Sequence, residues 1–283
     1  MLEQNQSKQL IVERSIIKTY RKTIWSQFVR AINDFNLLKP DDKVAVCISG
    51  GKDSMLMAKC FQELKKHGKI PFDLVFVVMD PGYNPLNLDV IKQNALELGI
   101  PITIFETNIF DYVYQLEQGS PCYLCAKMRR GHLYAQAKSL GCNKIALGHH
   151  YDDVLETILL NLFYAGEVKT MMPKLSSKNY AGVELIRPMY YIREQHIKNW
   201  RDANCLSFIN CACRFTETVG CGLNANHPNQ KKSKRAEMKA LLAELSKDNP
   251  YLEQSLFKSM SNINLESVLG YKKAGQAYSF LDE

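Results

Sequence analysis

Residues 47–54 read CISGGKDS: two adjacent glycines, a lysine, an aspartate and two serines directly after an apolar run. Adjacent glycines let a backbone approach a bulky anion closely, and a helix starting just after them aims its unpaired N–H groups at that anion. Lys52 adds a compact positive charge, Ser49 and Ser54 add hydroxyl donors, and Asp53 is suited to hold Mg2+. Gly50, Gly51 and these four side chains indicate a loop that handles the phosphates of a nucleotide. It is not a Walker A loop, whose spacing would need glycine where Val46 stands and serine or threonine where Asp53 stands. A G-x-G-x-x-G dinucleotide fingerprint is absent too.

Three further groups carry chemistry. Asp80, in MDPGYN, follows an apolar run and suits either a nucleotide contact or the cap of its own proline turn. GHHYDD, 148–153, places Gly148, His149 and His150 beside Asp152 and Asp153 at a predicted helix start. That grouping suits a metal–phosphate loop, with one of the two aspartates also serving as helix cap. Cys122 and Cys125 form a C-x-x-C at another predicted helix start, where thiolates are favoured, and Cys211 and Cys213 follow much later in FINCACRF. Four such thiols suit a closed structural zinc site. Cys47, Cys60, Cys142 and Cys205 are expected to be small buried hydrophobes.

The elements that must position these groups alternate. Apolar runs at 43–49, 72–79, 102–106, 143–148 and 183–188 read as strands. Helical patterns begin at Asp53 and cover 87–98, 123–140, 153–165 and 193–204. Short buried strands alternating with helices predict an α/β fold with a parallel five-stranded sheet covered on both faces. Ligands in such sheets bind beyond the carboxyl ends of the strands, which is where the three loops fall. Residues 1–37 are expected to carry an N-terminal amphipathic helix, with Val12, Ile16, Tyr20, Ile24, Phe28 and Ile32 spaced three or four apart. The nucleotide domain is expected over 38–210, and 211–283 reads as a cysteine-containing segment with a basic helical extension at 231–247.

Charge and composition narrow the partners. The 283 residues carry a net charge of +7, concentrated at Lys18, Arg21, Lys22 and Arg30, at Arg129 and Arg130, and at Lys231, Lys232, Lys234 and Arg235. Three such clusters favour a polyanion as partner. No apolar run approaches the roughly 20 residues of a membrane span, and MLEQNQSKQLIVERS lacks the apolar core of a secretory signal. No membrane partner and a cytoplasmic location are therefore expected, and nine cysteines there point to metal or redox chemistry rather than disulfides.

SGGKDS with GHHYDD resembles the PP-loop ATP pyrophosphatases, which split ATP between the α and β phosphates. The stretch from CYLCAKMRRGHLYAQ through LFYAGEVKTMMPKL, 122–175, with IRPMYYIRE, 186–194, is similar to the tRNA 2-thiocytidine synthetases, iron–sulfur-dependent tRNA thiolases of that superfamily. The resemblance implies an adenine-nucleotide α-hydrolase-like fold, ATP and Mg2+, and adenylation of a cytidine oxygen in the tRNA anticodon loop followed by its replacement with sulfur. It implies roles for Lys52, Asp53 and Asp152 in charge, metal and proton handling, and for Arg129 near the adenylate or the RNA. It further implies a [4Fe–4S] cluster held by Cys122, Cys125 and a third cysteine, leaving one iron open. Relatives commonly carry C-x-x-C at the later place; this chain has C-x-C, and Cys211 aligns with the first cysteine. Implied partners are tRNA and a cysteine desulfurase or other sulfur donor, and a homodimer is compatible with the pattern. A thiolase acting on a wobble uridine shares the same core, but such relatives often add N-terminal zinc cysteines, and none precedes Cys47 here. A non-catalytic RNA-binding or iron–sulfur sensing protein would not need Lys52, Asp53 and Asp152 intact. Amide-forming PP-loop enzymes leave the cysteines unexplained.

Overall fold

Strand β1, Asp42–Ile48, lies in the middle of a six-stranded sheet and has Val44, Ala45 and Val46 fully buried. The computed structural model describes residues 2–110, 112, 121–209 and 233–281. With β2 (Phe72–Asp80), β3 (Ile102–Glu106), β4 (Lys144–Ala146), β5 (Lys174–Ser176) and β6 (Glu184–Ile186), the order across the sheet is β3-β2-β1-β4-β6-β5. The chain winds outward from β1 to β2 and β3, then returns to place β4 on the other side of β1. The loops after β1 and β4 therefore leave neighbouring strands side by side, at the point where the winding reverses.

Alternation along the strands feeds two layers. Val44, Val46, Phe76 and Val78 pack into the larger core, while Ala45, Val77 and Ile145 pack with Ala137 and Val183 on the opposite face. Helices α3 (Lys52–His67), α4 (Pro85–Glu97) and α7 (Glu194–Ala203) supply residues such as Phe61, Ile91 and Trp200 to the larger core. Helix α5 (Pro121–Ser139) contributes Ala137 to the smaller one. The α/β class and the coverage of both faces match the sequence expectation.

The sheet has one strand more than expected. β5 is three residues, KLS, none of them buried, and pairs antiparallel with β6, Leu175 opposite Leu185. It is too short and too polar to register as an apolar run, and an antiparallel edge strand needs no buried second face. The expected amphipathic helix near the N-terminus is interrupted. Helix α1 (Leu2–Arg14) passes into π-helical turns at Ser15–Thr19 and Arg21–Trp25 before α2 (Ser26–Asp34). The wider turns keep Val12, Ile16, Ile24, Phe28 and Ile32 all on the buried side. Phe28 meets Phe61 of α3 edge-on at 5.3 Å, and Lys59 of α3, itself 1% exposed, binds Glu13 of α1 at 2.8 Å.

The chain divides into two units: Met1–Asp153 with Met172–Lys231, and Val154–Met171 with Lys232–Glu283. Helix α6, Tyr151–Leu160, passes from the first into the second. The second unit holds α8 (Lys234–Asp248), α9 (Leu252–Ser259) and a hairpin of β7 (Gly270–Lys273) and β8 (Gln276–Ser279). Within it Arg235 pairs with Glu156 at 3.0 Å and Lys234 lies 4.1 Å over the Tyr164 ring. No helix among the described residues is long and apolar enough to cross a membrane.

Candidate active site

The phosphate loop turns at Gly50, whose φ of +83° is a left-handed conformation that favours glycine. A Cβ there would also lie 2.5 Å from Ile91 and 2.6 Å from Ile209. Gly51 then caps α3 in an extended conformation, leaving Lys52, Asp53 and Ser54 in the first turn. The Ser49 N–H donates to Ser54 Oγ at 3.1 Å, and the Ser54 hydroxyl donates to the Gly51 carbonyl at 3.0 Å. The two serines brace the turn, so the helix N-terminus is held open as a cradle for an anion.

Gly148, at the end of β4, brings the neighbouring loop against this cradle. A Cβ on it would stand 3.2 Å from both Asp53 C and Ser54 N, which are backbone atoms with little freedom to move. Gly148→Ala should therefore cost about 1–3 kcal/mol of stability and weaken nucleotide binding. Thermal melting with and without ATP checks this; no change in either would mean that the two loops have slack.

The charged groups converge. Lys52 Nζ lies 3.0 Å from Asp53 Oδ2 and 3.2 Å from Glu194 Oε1. Asp152 Oδ2 accepts the Glu194 N–H at 2.7 Å, and its Oδ1 takes the Arg193 guanidinium at 3.0 Å. His150 Nδ1 is 3.8 Å from Asp152 Oδ2, and its Nε2 is 3.9 Å from Asp53 Oδ1. Asp153 caps α6: its carboxylate accepts the His150 N–H at 2.9 Å, while His150 Nδ1 accepts the Asp153 N–H at 3.4 Å. His149 instead faces Arg187, whose Nε donates to its Nδ1 at 3.2 Å. Burial pushes the Arg187 guanidinium down to about 10, which still leaves it a cation at neutral pH.

Asp53 Oδ1 is buried and has no hydrogen-bond partner. An orphaned carboxylate oxygen beside a phosphate cradle fits a hard, oxygen-seeking cation such as Mg2+. Asp152, in contrast, has both oxygens engaged, and in this geometry it orients Arg193 and Glu194.

A PP-loop domain model matches residues 21–213 of this chain. The tRNA-cytidine(32) 2-sulfurtransferase of Geobacter metallireducens is 35% identical over 254 residues, covering 89% of this chain and 93% of that one. The chain belongs to this family of PP-loop proteins. The relative from Pelobacter propionicus is 34% identical over 248 residues, 87% of each chain. That of Paraburkholderia phymatum is 38% identical over 253 residues, 89% of this chain and 71% of its own. Among solved structures, the U34-tRNA thiolase NcsA from Methanococcus maripaludis with its [4Fe-4S] cluster matches with a TM-score of 0.65 at 24% identity, covering 88% of this chain and 80% of that one. That likeness is one of fold.

In this member of the 2-sulfurtransferase family Asp80 and Arg129 make hydrogen bonds in the turn after β2. Asp80 Oδ1 accepts the N–H groups of Gly82 and Tyr83 at 2.9 and 2.6 Å, so it caps its own turn. Arg129 Nη2 donates to the Tyr83 hydroxyl at 3.1 Å, which joins Arg129 to the same turn. Cys122 and Cys125 lie one turn apart near the start of α5, and Cys125 is buried. Cys211 and Cys213 fall outside the described residues. Among the described residues no three His, Cys, Asp or Glu side chains stand together as a metal site. Burial pushes the Cys47 thiol up to about 12 and raises those of Cys60 and Cys142 as well, which makes all three inert. Cys205, expected to be buried, is exposed at a left-handed position (φ +50°) just past α7.

Sequence reasoning passed over Glu194, Arg193 and Arg187 as individual groups, and read His150 only as a member of the GHHYDD loop. The signal for the first two was an acid–base pair at the start of a helix following a parallel strand.

Proposed function

We propose that this chain is an ATP-dependent tRNA sulfurtransferase that replaces the C2 oxygen of cytidine 32 by sulfur. The observation that carries the reading is the glycine-turned cradle at the start of α3, with Lys52 aimed across its first turn. The C2 oxygen of the base attacks the α-phosphorus of ATP and pyrophosphate departs; sulfur then adds at C2 and AMP leaves with the original oxygen. An amide-like oxygen is a poor leaving group, and the adenylate makes it a good one. Lys52 and the first-turn N–H groups stabilise the charge that develops on pyrophosphate. Asp53 would hold Mg2+, which screens the phosphates. Cys122, Cys125 and Cys211 would hold a [4Fe–4S] cluster, which would supply an iron site for hydrosulfide. Arg129, steadied by Tyr83, reaches toward the adenylate or the RNA. In this reading a cysteine desulfurase or another source supplies the sulfur, the reaction is cytoplasmic, and a homodimer is compatible with it.

Mass spectrometry of tRNA nucleosides from cells with and without the protein tests the reading. Loss of 2-thiocytidine alone is expected. Intact 2-thiocytidine with loss of a 2-thiouridine would transfer the activity to the uridine.

The basic clusters support the RNA. Lys18, Arg21, Lys22 and Arg30 are all exposed. Arg30 is engaged by Asp34 and the Tyr191 ring, and in the C-terminal cluster Lys234 and Arg235 are engaged by Tyr164 and Glu156. Lys231→Glu with Lys232→Glu should weaken tRNA binding and flatten its salt dependence by about one to two counterions, while ATP affinity stays unchanged. Filter binding across a salt series measures both; an unaltered slope would make those lysines a solvated surface only.

A further inference from the structure

We propose that Glu194 is a positioning residue for Lys52, fixing the direction of its ammonium before and during ATP cleavage. The inference rests on the nucleotide chemistry proposed above. Lys52 Nζ stands between two carboxylates, Asp53 Oδ2 at 3.0 Å and Glu194 Oε1 at 3.2 Å. The two are not equivalent anchors. Asp53 follows Lys52 in the first turn of α3, and its other oxygen is buried without a partner. A cation recruited to that oxygen competes with Lys52 for the Asp53 carboxylate, and Glu194 is then the anchor that remains.

Glu194 is built to stay in place. Its backbone N–H is held by Asp152 Oδ2 at 2.7 Å, and its second carboxylate oxygen binds Lys198 Nζ, one helical turn on, at 2.9 Å. As the first residue of α7 it also sits where a helix dipole favours negative charge. The Lys52 and Glu194 side chains are 18% and 15% exposed, so solvent screens their attraction only partly. An ammonium has three donors on a flexible stem. With one donor held by Glu194 Oε1, whether or not a cation has taken Asp53, the ammonium stays fixed at the start of α3 and its remaining donors are offered to the phosphates. Asp152 then acts one step removed: by holding the backbone of residue 194 it sets the height of the carboxylate that aims Lys52.

The test measures tRNA-dependent AMP and pyrophosphate formation by the anaerobically prepared holoprotein and its variants. Glu194→Gln should lower kcat about tenfold with little change in KM for ATP, because an aimed group acts mainly in the transition state. Glu194→Asp should recover part of the loss. Added to Lys52→Ala, Glu194→Gln should cost nothing more, since there is no ammonium left to aim. Equal losses from Glu194→Gln with and without Lys52 would overturn the inference while leaving the proposed function standing, as would a rise in KM alone. A wild-type protein that releases ADP instead of AMP would overturn both.

Discussion

Replacing Lys52 by alanine should lower tRNA-dependent AMP formation by about a hundredfold or more, the scale of losing one transition-state charge contact. The protein should remain folded, because the side chain is partly exposed, is no member of the apolar core and is held by ion pairs to Asp53 and Glu194. The loss should also reach the Michaelis constant. Without the ammonium, the Asp53 and Glu194 carboxylates face the incoming phosphates with no cation between them, and like charges at close range repel. Lys52→Arg should recover little. A planar guanidinium carries its charge over several nitrogens and cannot point one compact N–H cluster at a phosphate while meeting both carboxylates. Single-turnover assays that follow AMP and pyrophosphate separate the two effects. A Lys52→Ala protein within about threefold of wild type would remove Lys52 from the chemistry, since a contact of this kind is worth far more.

Which features were legible in the sequence follows from what each depends on. The runs at 43–49 and 72–79 announced β1 and β2 because strands buried on both faces need apolar residues at every position. β4 and β6 were placed correctly but drawn too long, because pairing covers only Lys144–Ala146 and Glu184–Ile186. The hairpin of β7 and β8 was invisible: all four residues of β7 are exposed, so no periodicity marks it, and Ala274–Gly275 is its only turn signal. The π-helical turns were not read, although apolar residues at every fourth position from Val12 to Ile32 call for turns wider than those of an α-helix. At the site, SGGKDS gave the cradle outright because glycine and helix start are local properties. The engagement of Asp152 with Glu194, 42 positions away, is a tertiary contact that no local spacing encodes. Asp80 shows the converse: its turn-capping role was one of two readings, and the Gly82 and Tyr83 N–H groups take that oxygen.

Cys211→Ala should abolish both the iron–sulfur cluster and activity, while Cys213→Ala should keep about four irons and most of the activity, as a three-thiolate cluster requires. Cys122 and Cys125 hold positions three residues apart near the start of α5. The other thiols that the structure describes do not compete for the cluster. Cys47, Cys60 and Cys142 are held protonated by burial, and Cys205 lies on an exposed bend. The third ligand is expected from Cys211 or Cys213, which lie outside the described residues. Cys211 aligns with the first cysteine of the relatives' C-x-x-C, so Cys213 is the residue that discriminates between the two arrangements. A closed zinc site would instead use all four of Cys122, Cys125, Cys211 and Cys213 and leave no position for sulfur. Anaerobic reconstitution, iron and sulfide analysis and the visible absorption of each variant report the cluster without reference to turnover. Stoichiometric zinc in the active, anaerobically purified protein, lost on replacing any of the four, would establish the closed site and remove the open iron from the mechanism.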